Sequence, residues 1–158
     1  MGALTEDQLR KRISQQELNV ICARHDRLWQ ARPGGARAVF AWMDLSGLDL
    51  SGRNLTDADF SAAEMRGCNL SGCKLDNATF FGADMQEAVL IDASLRRADL
   101  RGACLRGADL SGADLRRAIL CDADLSRASL HGAHAKLADF TGATMIGTRG
   151  YDPRDHAA

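Results

Sequence analysis

A large apolar residue returns at every fifth position over two thirds of this chain. The series reads Leu45, Leu50, Leu55, Phe60, Met65, Leu70, Leu75, Phe80, Met85, Leu90, then Leu at each fifth position from Leu95 to Leu130. It ends with Phe140 and Met145, and Ala135 is its weak member. Two residues before each centre sits a small one: Ala58, Ala63, Cys68, Cys73, then Ala from Ala78 to Ala143. So strict a period is an internal repeat, and it constrains the fold before any single helix or strand does.

A period of five matches neither the 3.6 of an α-helix nor the 2.0 of a strand. It works if each pentapeptide is a short extended piece followed by a turn. The centre and the residue two before it then point inward, and the other three point out. Gly two positions after many centres, as at Gly67, Gly102 and Gly132, supplies the turn.

Side-chain identity sets the coil length. Phe is a centre at 60, 80 and 140 and Met at 65, 85 and 145, all separated by multiples of twenty. Like residues stacked in register predict four pentapeptides per coil, hence a square tube. Residues 43–147 hold twenty-one pentapeptides, a little over five coils. With coils ~4.8 Å apart the tube is roughly 25 Å long. Leu137 is expected to turn inward in place of Ala135.

These units resemble the pentapeptide repeat family, whose motif is written A(D/N)LXX. Ala98-Asp99-Leu100-Arg101-Gly102 and Ala108-Asp109-Leu110-Ser111-Gly112 carry the likeness. Departures fall at Arg53 in the small slot and at Lys74, Val89, Ile119 and His134 in the Asp/Asn slot. The resemblance implies an all-β solenoid, a right-handed quadrilateral β-helix, here of about five coils. It implies function far less, because the family includes DNA-mimicking proteins that protect gyrase, secreted effectors and many bacterial and cyanobacterial proteins without a known role.

The segment before the repeat reads as a capping helix. Thr5-Glu6-Asp7-Gln8 has capping-box form, and Leu9, Ile13, Leu18, Ile21, Cys22, His25, Leu28 and Trp29 trace one face. Pro33-Gly34-Gly35 stops it. A solenoid exposes an apolar cross-section at its end, so residues 5–31 are assigned to cover it, with Trp29, Phe40 and Trp42 closing the opening. The competing reading is an amphipathic helix that meets a membrane surface or a partner. The domains are then 1–42, capping helix and lead-in; 43–147, the β-helix; and 148–158, a short tail. At the far end the expectation is either end-to-end homodimerisation or closure by Ile146 and Tyr151.

Charge bears on partners. Residues 1–42 carry seven Lys/Arg against four Asp/Glu, residues 43–147 eleven against fifteen, and the whole chain a net −1. That balance argues against direct nucleic-acid binding and against recruitment to anionic membrane. No stretch has the length of a transmembrane helix, so no membrane insertion is expected. Five Cys, an odd number, do not form a disulfide framework, and reduced thiols in the small slots point to the cytoplasm.

The outward residues sort by twenties into unlike strips. Arg96, Arg97, Arg116, Arg117 and Lys136 form a basic stripe, and Asp44, Glu64, Asp84 and Asp124 an acidic ladder that nearby Arg66, Arg106 and Arg127 partly neutralise. Phe81, Ile119 and Cys121 interrupt a polar exterior. Each strip is either a solvated face or a docking surface. His131 and His134 lack a completing ligand set, and no phosphate loop or nucleophile elbow occurs, so neither metal, cofactor nor catalytic residue is assigned. The expectation is a non-enzymatic bacterial scaffold that binds another protein. The alternatives are a DNA-mimicking protector of a topoisomerase and a small metal protein or enzyme.

Overall fold

The computed structural model describes residues 10–152. From Val39 onward the backbone is a solenoid in which residue i bridges i+20 in parallel, from Val39–Asp59 to Ser129–Arg149. Four turns interrupt each twenty-residue coil, so every wall is one or two extended residues long and ladders accumulate between coils rather than along a strand.

One unit shows why the pentapeptide is self-consistent. Leu110 N–H donates up to Ser129 O (2.8 Å), Gly112 N–H up to His131 O (2.9 Å), and Asp114 N–H down to Ala93 O (2.9 Å). Ala113 N–H closes the turn on Leu110 O at 3.0 Å. The fifth donor, Ser111 N–H, has no backbone acceptor and finds Asp109 Oδ1 at 3.0 Å. The Asp/Asn slot thus satisfies the one amide that the coil geometry orphans. The same bond recurs at Asp59–Ser61, Asn69–Ser71, Asp99–Arg101 and Asp139–Thr141.

The core is the two inward columns of each wall. Every centre from Phe40 to Leu130 is buried, as are the small-slot residues from Ala58 to Ala128. The thiols of Cys68 and Cys73 donate to Leu45 O and Leu50 O, so polar groups in this interior are also paired. Phe40, Phe60 and Phe80 stack on successive coils with centroids 5.0 and 4.8 Å apart.

The N-terminal segment differs from the sequence expectation. Its proposed start at Thr5–Gln8 lies outside the described residues. Residues 11–12 are not helical: β1 (Lys11–Arg12) pairs in parallel with β2 (Met43–Asp44). The reason is edge satisfaction: the first coil presents unpaired amides and carbonyls, and Ile13 N–H also donates to Asp44 O. The helix α1 runs Gln15–Trp29, capped by a reciprocal box between Ser14 and Glu17. It buries Leu18, Cys22 and His25 in the end of the core. Arg53, the departure in the small slot, faces this helix rather than another coil and donates to Asn19 Oδ1 at 2.6 Å.

Three further expectations are corrected. Phe40 does not plug the end; it is a core centre, so the coil register begins five residues before Leu45. Trp29 and Trp42 are 49% and 65% exposed, because Leu18 and Cys22 already cover the opening. Leu137 stays outside, 47% exposed, since it occupies a turn slot with φ +63, and Ala135 itself is buried. At the far end Tyr151 packs edge-on against Phe140, 5.2 Å between centroids, whereas Ile146 is 75% exposed.

Candidate binding surface

The twenty-residue coil places the basic residues at one corner of the tube, not on a flat face. Arg96, Arg116 and Lys136 hold the first turn position on three successive coils, and Arg97 and Arg117 the second. Backbone bonds tie them in order: Asn77 N–H to Arg96 O, Arg97 N–H to Arg116 O, Arg117 N–H to Lys136 O. The corner changes sign along its length, with Asp57 and Asp76 on the earlier coils and the five cations on the later ones.

Two of these guanidiniums are engaged. Arg96 reaches back one coil and donates through Nε (3.0 Å) and Nη2 (2.5 Å) to Asp76 Oδ2. Arg116 pairs with Asp114 on its own coil, Nε to Oδ1 at 2.8 Å and Nη2 to Oδ2 at 2.6 Å. The Arg116 bonds, outweighing partial burial, hold the Asp114 carboxyl below its usual range. At Asp76 burial pulls upward, yet the bonds from Arg96 and Ser94 together prevail and lower it. Arg97 and Arg117 differ: no carboxylate among the described residues lies within ion-pair distance of either, or of Lys136. Asp76, Asn77 and the four arginines line an open depression of about 390 Å³. A second, lined by His134, Ala135 and Lys136 among others, shares Arg116.

The acidic strip is also brought together, Asp44, Glu64, Asp84 and Asp124 standing in one column with Cys104. Each has a cation within 4 Å: Arg12, Arg10, Arg66 and Arg106 respectively. Asp44, Asp84 and Asp124 also accept the turn amides of Ser46, Gln86 and Ser126. Of these partners Arg66 and Arg106 were legible as near neighbours in the repeat, whereas Arg10 and Arg12 reach the column from outside it.

Phe81 and Ile119 are exposed but apart, Phe81 on a turn and Ile119 in the ladder two coils on, and Arg101 covers the Phe81 ring at 5.6 Å. Cys121, two residues after Ile119, is half-exposed. Among the described residues no three His, Cys, Asp or Glu side chains converge as a metal site, and no helix is long and apolar enough to cross a membrane.

The family model for pentapeptide repeats matches residues 36–72, 73–112 and 108–147. The solved structure of the pentapeptide repeat protein Rfr23 from the cyanobacterium Cyanothece 51142 is similar, with a TM-score of 0.67 and 24% identity. That match covers 82% of this chain and 98% of Rfr23, and at this identity it speaks for the fold alone. A pentapeptide repeat protein of the Arabidopsis thaliana thylakoid lumen is 37% identical over 61% of this chain and 64% of its own, with a TM-score of 0.33. QnrB1, a plasmid-mediated fluoroquinolone resistance protein, is 23% identical over 77% of this chain and 67% of its own, with a TM-score of 0.42. No curated protein matches the chain.

Proposed function

The chain belongs to the pentapeptide repeat family, and on that footing we propose that it is a non-enzymatic binding module, a rigid rod that offers its Arg96–Arg117 corner to another protein. The observation that carries this reading is the inequality between arginines at one corner. Arg96 and Arg116 are held by Asp76 and Asp114, while Arg97 and Arg117 stand with no carboxylate partner among the described residues. Unpaired like charges on adjacent coils cost stability, and a partner's anions would relieve that cost. A core filled by its own side chains leaves the open outer surface for recognition.

The DNA-mimic alternative needs a free acidic row. Here the column from Asp44 to Asp124 is compensated residue by residue by arginines, which argues for the basic corner instead.

Replacing Arg97 and Arg117 by Glu breaks no ion pair seen in the structure. Affinity capture from an extract of the source cells with wild-type protein as bait should lose its specific partner in that double variant. Undiminished capture would remove this corner from the function.

A further inference from the structure

We propose that this corner recognises a phosphorylated side chain, a phosphomonoester dianion carried by a segment of the partner protein. The inference rests on the binding-module reading and narrows its ligand. The corner's own carboxylates show the stoichiometry of recognition. Asp76 takes the Nε/Nη2 edge of Arg96 and Asp114 that of Arg116, with Asp114 Oδ2 also 3.9 Å from Arg96 Nε. A carboxylate brings a single charge, and one guanidinium fork neutralises it.

Arg97 and Arg117 then remain as two further forks from successive coils, and successive coils repeat at 4.8 Å, as the Phe60–Phe80 ring separation measures. Two forks carried on backbone that close suit an acceptor with three terminal oxygens and more than one charge. A phosphomonoester meets both conditions, with roughly −1.5 to −2 charge at neutral pH. A carboxylate or a phosphodiester supplies one charge and two oxygens. Lys136 on the following coil adds a point charge at the rim of the adjoining depression. The depression is open, which suits a side chain projecting from a docked chain rather than an enclosed metabolite. Arginine clusters recognise phosphorylated segments by this same pairing of fork and oxyanion.

Both arginines also sit in the left-handed turn slot, φ +57 and +61, which is glycine at Gly82, Gly102 and Gly132. Arg97→Gly/Arg117→Gly therefore deletes the two guanidiniums while giving the backbone the residue it accepts most readily. The experiment follows the arginine Nε–H resonances of the isotope-labelled full chain at fixed ionic strength. Blocked phosphoserine, blocked glutamate and dimethyl phosphate are titrated separately. Blocked phosphoserine should shift Arg97 and Arg117 saturably, with affinity at least about tenfold above the other two. The shifts that the ligand also causes at the neighbouring Arg96 and Arg116 should vanish in the double glycine variant, and the whole response should survive Arg127→Gly, at another corner. Equal response to glutamate or dimethyl phosphate, or persistence in the double glycine variant, overturns the phosphoryl assignment. If glutamate binds equally while Arg97→Glu/Arg117→Glu still abolishes capture of the partner, the docking corner stands and only the phosphoryl ligand falls.

Discussion

Phe60 lies flat on Phe80, the ring centroids 4.8 Å apart and the planes within 1° of parallel. A face-to-face pair is not what isolated rings prefer. The coil repeat imposes it, because identical positions twenty residues apart must stack at the inter-strand spacing. Phe80 is fully buried between Phe60 below and Leu100 above. Phe80→Ala should cost about 3–5 kcal/mol, since neither neighbouring coil can collapse into the gap without breaking ladder bonds. Denaturant midpoints would read this, and a loss under about 1 kcal/mol would mean the coils relax far more freely than a stacked tube should.

Relieving the turns should have the opposite sign. Arg97 and Arg117 hold positive φ without the freedom of glycine, so changing each to Gly should raise stability by up to about 1 kcal/mol. A fall in the thermal midpoint of the double variant would show that these side chains hold the coil together.

His25 should make the helix-to-coil junction sensitive to mild acid. Its ring is fully buried and Nδ1 accepts from Ala38 N–H at 3.0 Å, so the neutral form is the one that fits. Burial, the largest influence, pulls its pKa below the ordinary value, with Arg37 acting the same way. The Thr56 carbonyl, Asp26 and Asp57 pull upward less effectively. A depressed folded value means this stability is present above the unfolded pKa of about 6.5 and is lost as pH falls through the folded one. Melting followed between about pH 7 and 5 should show that slope in wild type, and His25→Gln should flatten it. The same slope in both proteins would assign it elsewhere.

The cysteines should separate by reactivity. Burial pushes the Cys68 and Cys73 thiols up to about 11, and each is tied to a carbonyl. Cys104 and Cys121 are half-exposed. Alkylation of native protein, mapped by mass spectrometry, should therefore reach Cys104 and Cys121 well before Cys68 and Cys73. Early labelling of Cys68 would mean the first coils open on their own.

Gly150 tests the last turn. A Cβ there would stand 2.5 Å from His131 N and 2.6 Å from its Cα, and φ is +72. Gly150→Ala should cost about 1–3 kcal/mol by forcing the Arg149–Ser129 rung apart. A neutral effect would show that this rung carries little of the stability.

The coil could be read from the chain because its constraint is arithmetic. Leu, Phe and Met at every fifth position, with Phe and Met recurring at multiples of twenty, admit one stacking register, and the i to i+20 bridges follow it from Val39 to Arg149. The same arithmetic located the arginine corner and the acidic column.

What escaped it were relations between segments with no shared period. Whether residues 11–12 continue a helix or pair with β2 is decided by the coil edge at Met43–Asp44, which exists only once the solenoid has formed. Whether Arg96 and Arg97 are equivalent is decided by Asp76, twenty residues away, coming within reach of one and not the other. Periodic burial is additive along the chain and so is legible in its letters. Edge pairing and charge compensation depend on which residues share a corner, and only the assembled tube sets that.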